Sequence, residues 1–228
     1  MKLTLRYAIA FLLLCLLLQE LHELAHLLVD RLSVHCGTRY FLFWQMCEGA
    51  TKYAAAAILF AGPAINYIMM AIGFLLLSQQ STNKQKSIGF CLILACNPLQ
   101  RLQALVFRGS DEISAVRELL RPAEPFKGAA VIAGIAIMLV FVLPSLYRAF
   151  RNINTGNRWL LMAGFLIIPF AVNYILQQLF AGEHSRQILV SKPASFLPSW
   201  LVLIDLLLLA CFLPLLKQIG QLFSKFNS

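Results

Sequence analysis

Residues 7–29 read YAIAFLLLCLLLQELHELAHLLV, an apolar run that turns polar partway along. Its length matches the ~20 residues that an α-helix needs to cross the hydrocarbon core of a bilayer. Lys2 and Arg6 followed by the apolar residues 7–18 resemble a secretory signal, but no small-residue cleavage site follows and apolar character resumes over residues 24–29. This pattern predicts a retained membrane helix with a polar patch in its second half.

Beyond it, five more stretches approach spanning length: residues 54–78, 87–107, 128–147, 159–181 and 199–216. Of the 228 residues 60% are hydrophobic and only 13% are charged, against about 25% charged in a typical soluble chain. The reading is an all-α integral, multi-pass membrane protein of about six transmembrane helices. Its expected organisation is a core of three helices over residues 1–127 and a three-helix region over residues 128–228. That composition excludes a soluble enzyme and a disordered chain. The net charge of +9 does not imply nucleic acid as a partner, because the 19 Lys and Arg sit mainly between apolar runs, where they anchor helix ends and meet anionic head groups. The implied partner is the lipid bilayer.

Cys15, Cys91, Cys96 and Cys211 lie in apolar runs, and only Cys36 and Cys47 share a polar loop, where an oxidising compartment would let them pair. Between the third and fourth runs, Ile113, Val116, Leu119 and Leu120 recur at helical spacing opposite Arg117, Glu118 and Arg121. That spacing predicts an amphipathic helix on the membrane surface.

The chemistry is concentrated in His22-Glu23-Leu24-Ala25-His26. Residues four apart on a helix share a face, so His22 and His26 can aim imidazole nitrogens at one ion. Glu23, about 100° around the helix, can reach a water on that ion without being a ligand, as a general base must. At 100° per residue, Gln19, His22, Glu23, His26 and Asp30 fall on one arc, with Glu20 outside it. Ionisable groups in a span cost about 2.5–3.5 kcal/mol each when they face lipid, so this arc faces protein or water. A hydrogen-bonded seam between helices is the plainer alternative.

The His22–His26 motif, followed by Gly62-Pro63-Ala64-Ile65-Asn66 in the second run, resembles the site-2 protease family of intramembrane zinc metalloproteases. The resemblance covers about the first half of the chain. It implies a zinc-dependent endopeptidase that cleaves transmembrane protein substrates in or near their membrane segments. Zn2+ would be held by His22, His26 and a third ligand. The family carries that ligand, an Asp in an Asp-Gly context, after an Asn-Pro stretch. Asn97-Pro98 and then Gly109-Ser110-Asp111-Glu112 occupy the same order, which makes Asp111 the choice. The interval is longer than in the family, and Glu112 stands where the family has Gly. Asp111 or Ser110 is equally suited to cap the helix that follows, and His35, Glu112, Glu183, His184 and Asp205 are the other candidate ligands.

The resemblance further implies that Asn66 and Asn97 bind the oxyanion or the substrate backbone, with packing against neighbouring helices the alternative for each. Pro98 should kink or break the third run. Residues 39–46, rich in types that favour strands and interfaces, resemble the family's membrane-associated hairpin. They suit either substrate capture or interfacial anchoring. The competing functional classes are a haem- or metal-binding electron carrier and a transporter or catalytically silent metal-binding relative.

Overall fold

A computed structural model describes residues 4–35, 38–40, 43–45, 49–107, 110–120, 127–154, 156–181 and 199–223. The first helix, α1, runs Leu5–Ser33 and opens where the Thr4 hydroxyl accepts the Tyr7 amide hydrogen. It closes where His35 turns into the left-handed region at φ 67°. Strands β1 (Thr38–Tyr40) and β2 (Phe43–Gln45) follow as a small antiparallel hairpin with Arg39 opposite Trp44. This hairpin falls within the stretch whose composition favoured strands.

Helix α2 (Lys52–Leu76) carries Pro63 in its interior, where the missing N–H removes one rung of the backbone ladder. A capping box between Thr82 and Gln85 starts α3 (Asn83–Ala95). The expected third span is then broken, as Pro98 predicts. Asn97 lies at φ 52°, and Pro98 begins a separate helix, α4 (Pro98–Phe107). Next come α5 (Asp111–Leu119), α6 (Lys127–Arg151), α7 (Arg158–Ala181) and α8 (Ser199–Phe212). A 3-10 turn at Leu213–Leu215 leads from α8 into the short helix Leu216–Ile219.

The architecture is that of an all-α membrane protein. Among the described residues, five helices are long and apolar enough to span a bilayer: Leu5–Ser33, Lys52–Leu76, Gly128–Arg151, Arg158–Leu179 and Leu201–Ile219. Their outer faces expose Ile132 and Val140 of α6, Ile167 and Ile168 of α7, and Leu203 and Leu206 of α8. Apolar surface this extensive matches acyl chains rather than water. Inside, one buried cluster joins Tyr7, Phe11 and Leu14 of α1, Met70 of α2, Phe90 and Ile93 of α3, Met138 of α6 and Phe165 of α7. It draws on both sides of residue 127. Edge-to-face contacts at 4.9 Å between Phe11 and Phe165 and at 5.2 Å between Phe90 and Phe165 tie α1, α3 and α7 together.

The expected surface helix is corrected by its packing. Helix α5 lies against α2 and α6, and its buried residues are Glu112, Ile113 and Ala115, while Leu119 is exposed. The buried face is therefore rotated away from the one marked by Val116 and Leu119, because Glu112 finds polar partners inside. A glycine makes this seat possible. A Cβ at Gly134 of α6 would stand 2.8 Å from Ile113 Cα and 2.9 Å from Ile113 N, too close for any side chain. Replacing Gly134 with Ala should force α5 away from α6 and cost about 1–3 kcal/mol, read as a lower Tm in detergent. An unchanged Tm would contradict this packing.

Candidate metal centre

Three side chains from two distant segments meet at the polar patch of α1. His22 and His26 project from successive turns of that helix, and Asp111 comes from the first turn of α5. His22 Nε2 lies 3.3 Å and His26 Nε2 3.7 Å from Asp111 Oδ2, and the two Nε2 atoms are 3.1 Å apart. Atoms bound tetrahedrally at 2.0–2.1 Å to one zinc stand about 3.3 Å from one another. The observed triangle fits that spacing, so the three could hold a metal ion.

The capping role at the start of α5 falls to the neighbour of Asp111. Ser110 is the N-cap of α5, accepting the Ile113 amide hydrogen at 3.2 Å. This leaves the Asp111 carboxylate free to face the histidines. Packing around Asp111 opposes its ionisation, but the neighbouring His22 and His26 rings, together with the Arg101 charge, outweigh this and hold the carboxyl well below the usual range.

Groups behind the two histidines orient them. His26 Nδ1 donates to the Ile58 carbonyl at 2.7 Å, which leaves Nε2 as the acceptor nitrogen. The indole of Trp44, from β2, stacks on the His26 ring at 4.9 Å with 11° between planes. Asn66 Nδ2 lies 3.3 Å from His22 Nδ1, while Asn66 Oδ1 is buried without a partner. Turning that amide over gives Oδ1 the Nδ1–H of His22 and frees Nε2 for a metal, since amide orientation follows the hydrogen-bond network. The geometry thus places Asn66 behind His22, as a group that orients it.

Glu23 is buried beside the centre, and Gln19 Nε2 donates to its Oε1 at 2.7 Å. Gln19 and Asp30 are also buried, as the arc requires, and so is Glu20, which the arc excluded.

Among the described residues, Asn97 makes no hydrogen bond to His22, His26 or Asp111. Its Nδ2 donates to Gln100 Oε1 at 3.0 Å, and Asn173 Nδ2 of α7 reaches the same oxygen at 3.0 Å. Among the other candidate ligands, His35 bonds the Arg31 carbonyl at the end of α1, and neither it nor Asp205 of α8 belongs to the cluster. Glu183, His184, Cys36 and Cys47 lie outside the described residues.

One residue at the centre was not foreseen. Arg101 of α4, only 6% exposed, donates from Nη1 to Asp111 Oδ2 at 3.2 Å. Its Nη2 stands 3.0 Å from Nδ1 and 3.1 Å from Nε2 of His22. Nη1 is also 3.6 Å from Oε1 of the fully buried Glu112, which accepts the Tyr67 hydroxyl at 2.6 Å. The signal was present in the sequence: a lone Arg within a predicted span needs an anionic partner.

Gly62 explains why α2 can close over the histidines. A Cβ there would lie 2.3 Å from His26 Nε2 and 2.5 Å from His22 Cε1. Gly62→Ala should therefore displace both imidazoles and lower metal affinity at least tenfold. Gly164→Ala in α7, where a Cβ meets nothing within 4 Å, should leave affinity unchanged. Equal zinc affinity for the two variants, measured against a competing chelator, would contradict this arrangement.

Comparison with protein-family models, curated proteins and solved structures gives no match.

Proposed function

We propose that this chain is an intramembrane zinc metalloprotease that hydrolyses peptide bonds in or near transmembrane segments of membrane-protein substrates. The observation that carries the reading is the triangle of His22 Nε2, His26 Nε2 and Asp111 Oδ2, with edges of 3.1, 3.3 and 3.7 Å, set in a helix that also bears Glu23. Two neutral imidazoles and one carboxylate are a donor set suited to Zn2+, and three protein ligands leave one position for water.

A zinc ion bound there supplies Lewis acidity and a water with pKa lowered to about 7. The remaining work falls to side chains of this chain. Glu23 takes the proton from the attacking water and returns it to the leaving amine, so one water is consumed for each peptide bond cleaved. Gln19 holds the Glu23 carboxylate through Oε1. His26 is fixed by the Ile58 carbonyl and by Trp44 stacking, and His22 by Asn66. Helix packing keeps lipid from the ionised groups, a condition for such chemistry at membrane depth.

One observation favours a second reading, a silent relative that, unlike the metal-binding one, holds no metal. The Arg101 guanidinium approaches His22 and Asp111 at 3.0–3.2 Å, where it can neutralise the carboxylate without a metal.

Metal analysis of the purified protein and its Glu23→Gln variant separates these readings. The protease reading expects about one zinc per chain in both forms, with cleavage of a transmembrane substrate lowered about 10²–10⁴-fold in the variant. Equal cleavage by both forms would remove Glu23 from the reaction, and zinc absent from both would favour the silent relative.

A further inference from the structure

We infer that Arg101 is an internal competitor for the metal, a tethered cation that must leave Asp111 and swing onto Glu112 before the centre can load. The inference rests on the metal-site reading and deepens it, because it assigns that site a gate.

The first observation is where the charge sits. Arg101 Nη1 donates to Asp111 Oδ2 at 3.2 Å, the oxygen that closes the triangle with the histidines. Nη2 lies 3.0 and 3.1 Å from the two ring nitrogens of His22. An atom nearly equidistant from both nitrogens of one imidazole can follow the lone pair of neither. The guanidinium is thus held there by carboxylates, hydrogen-bonded to Asp111 and ion-paired with Glu112, and not by His22. A divalent ion within the triangle would face a fixed positive charge a few ångströms away in a medium of low dielectric, where like charges repel strongly. Metal and guanidinium therefore compete for one carboxylate.

The second observation is an independent one, a vacant seat. Glu112 is fully buried, and while its Oε1 accepts the Tyr67 hydroxyl, its Oε2 has no hydrogen-bond partner. Arg101 Nη1 is 3.6 Å from Glu112 Oε1, too far for a hydrogen bond but within ion-pair distance. A buried carboxylate oxygen without a donor is costly. Movement of Arg101 onto Glu112 would bring donors to this carboxylate, and the guanidinium fork suits bidentate pairing with it. Two carboxylates and one Arg thus give two arrangements. In one, Arg101 lies on Asp111 and the centre is closed to metal. In the other, Arg101 lies on Glu112 and Asp111 is free to ligate.

Zinc affinity measured against a competing chelator tests the inference without reference to activity. Arg101→Met should bind zinc at least tenfold more tightly than the unaltered chain. Since Arg101→Met leaves Glu112 buried and without its cation, Arg101→Met combined with Glu112→Gln removes both charges and should tighten binding similarly if the single variant does not fold. Glu112→Gln alone removes the second seat and should weaken binding. Unchanged or weaker affinity in the variants lacking Arg101 would overturn the inference and make Arg101 a support for the ligands. Zinc bound only when Arg101 is removed would uphold the gate and contradict the protease reading. Zinc bound by none of the forms would overturn both.

Discussion

Burying His22, Glu23, His26, Arg101 and Glu112 among apolar helices, beside the half-buried Asp111, is possible only because each finds a partner of opposite or complementary character. Removing one member of such a set leaves an uncompensated charge, at a cost of about 3–5 kcal/mol for a buried pair. This requirement fixes where the helices lie. Helix α2 must approach α1 closely enough for the Ile58 carbonyl to meet His26 and Asn66 to meet His22, and Gly62 permits that approach. Helix α5 must enter between α2 and α6 to deliver Asp111, and Gly134 gives it room against Ile113. The break at Asn97-Pro98 lets α4 present Arg101 to the same centre.

The most legible part of the site was the most local. An i, i+4 pair of histidines shares a helix face whatever the rest of the chain does, so His22, His26 and the flanking Glu23 could be read directly from spacing. Asp111 lies 85 positions beyond His26 and was reached only through the order of motifs. Its neighbour Ser110 then resolved the ambiguity by taking the capping role. The spans were legible too, because length and hydropathy decide them, and Pro98 foretold the interruption of the third.

What could not be read was the pairing of polar groups. Helix α5 carries an apolar stripe that suggested a surface helix, yet the face it buries includes Glu112, since Tyr67 and Arg101 meet that carboxylate from α2 and α4. Hydrophobic periodicity treats Glu as a solvent-facing residue and cannot register a partner contributed by another helix. Arg101 escaped notice for the same reason. Asn97 was placed at the centre by motif order, but the left-handed turn there, φ 52°, directs its amide to Gln100 instead. Asn173 of α7 meets the same Gln100 oxygen, joining the C-terminal half to this polar interior.

The central claim is that His22, His26 and Asp111 bind one divalent cation. X-ray absorption at the zinc edge, on protein loaded with one equivalent of metal in lipid, examines this most directly. The account predicts two nitrogen ligands and oxygen donors at about 2.0–2.2 Å, with the nitrogen signal halved in His26→Ala. Sulfur scattering at about 2.3 Å, or a spectrum unchanged by His26→Ala, would place the metal elsewhere and contradict the account.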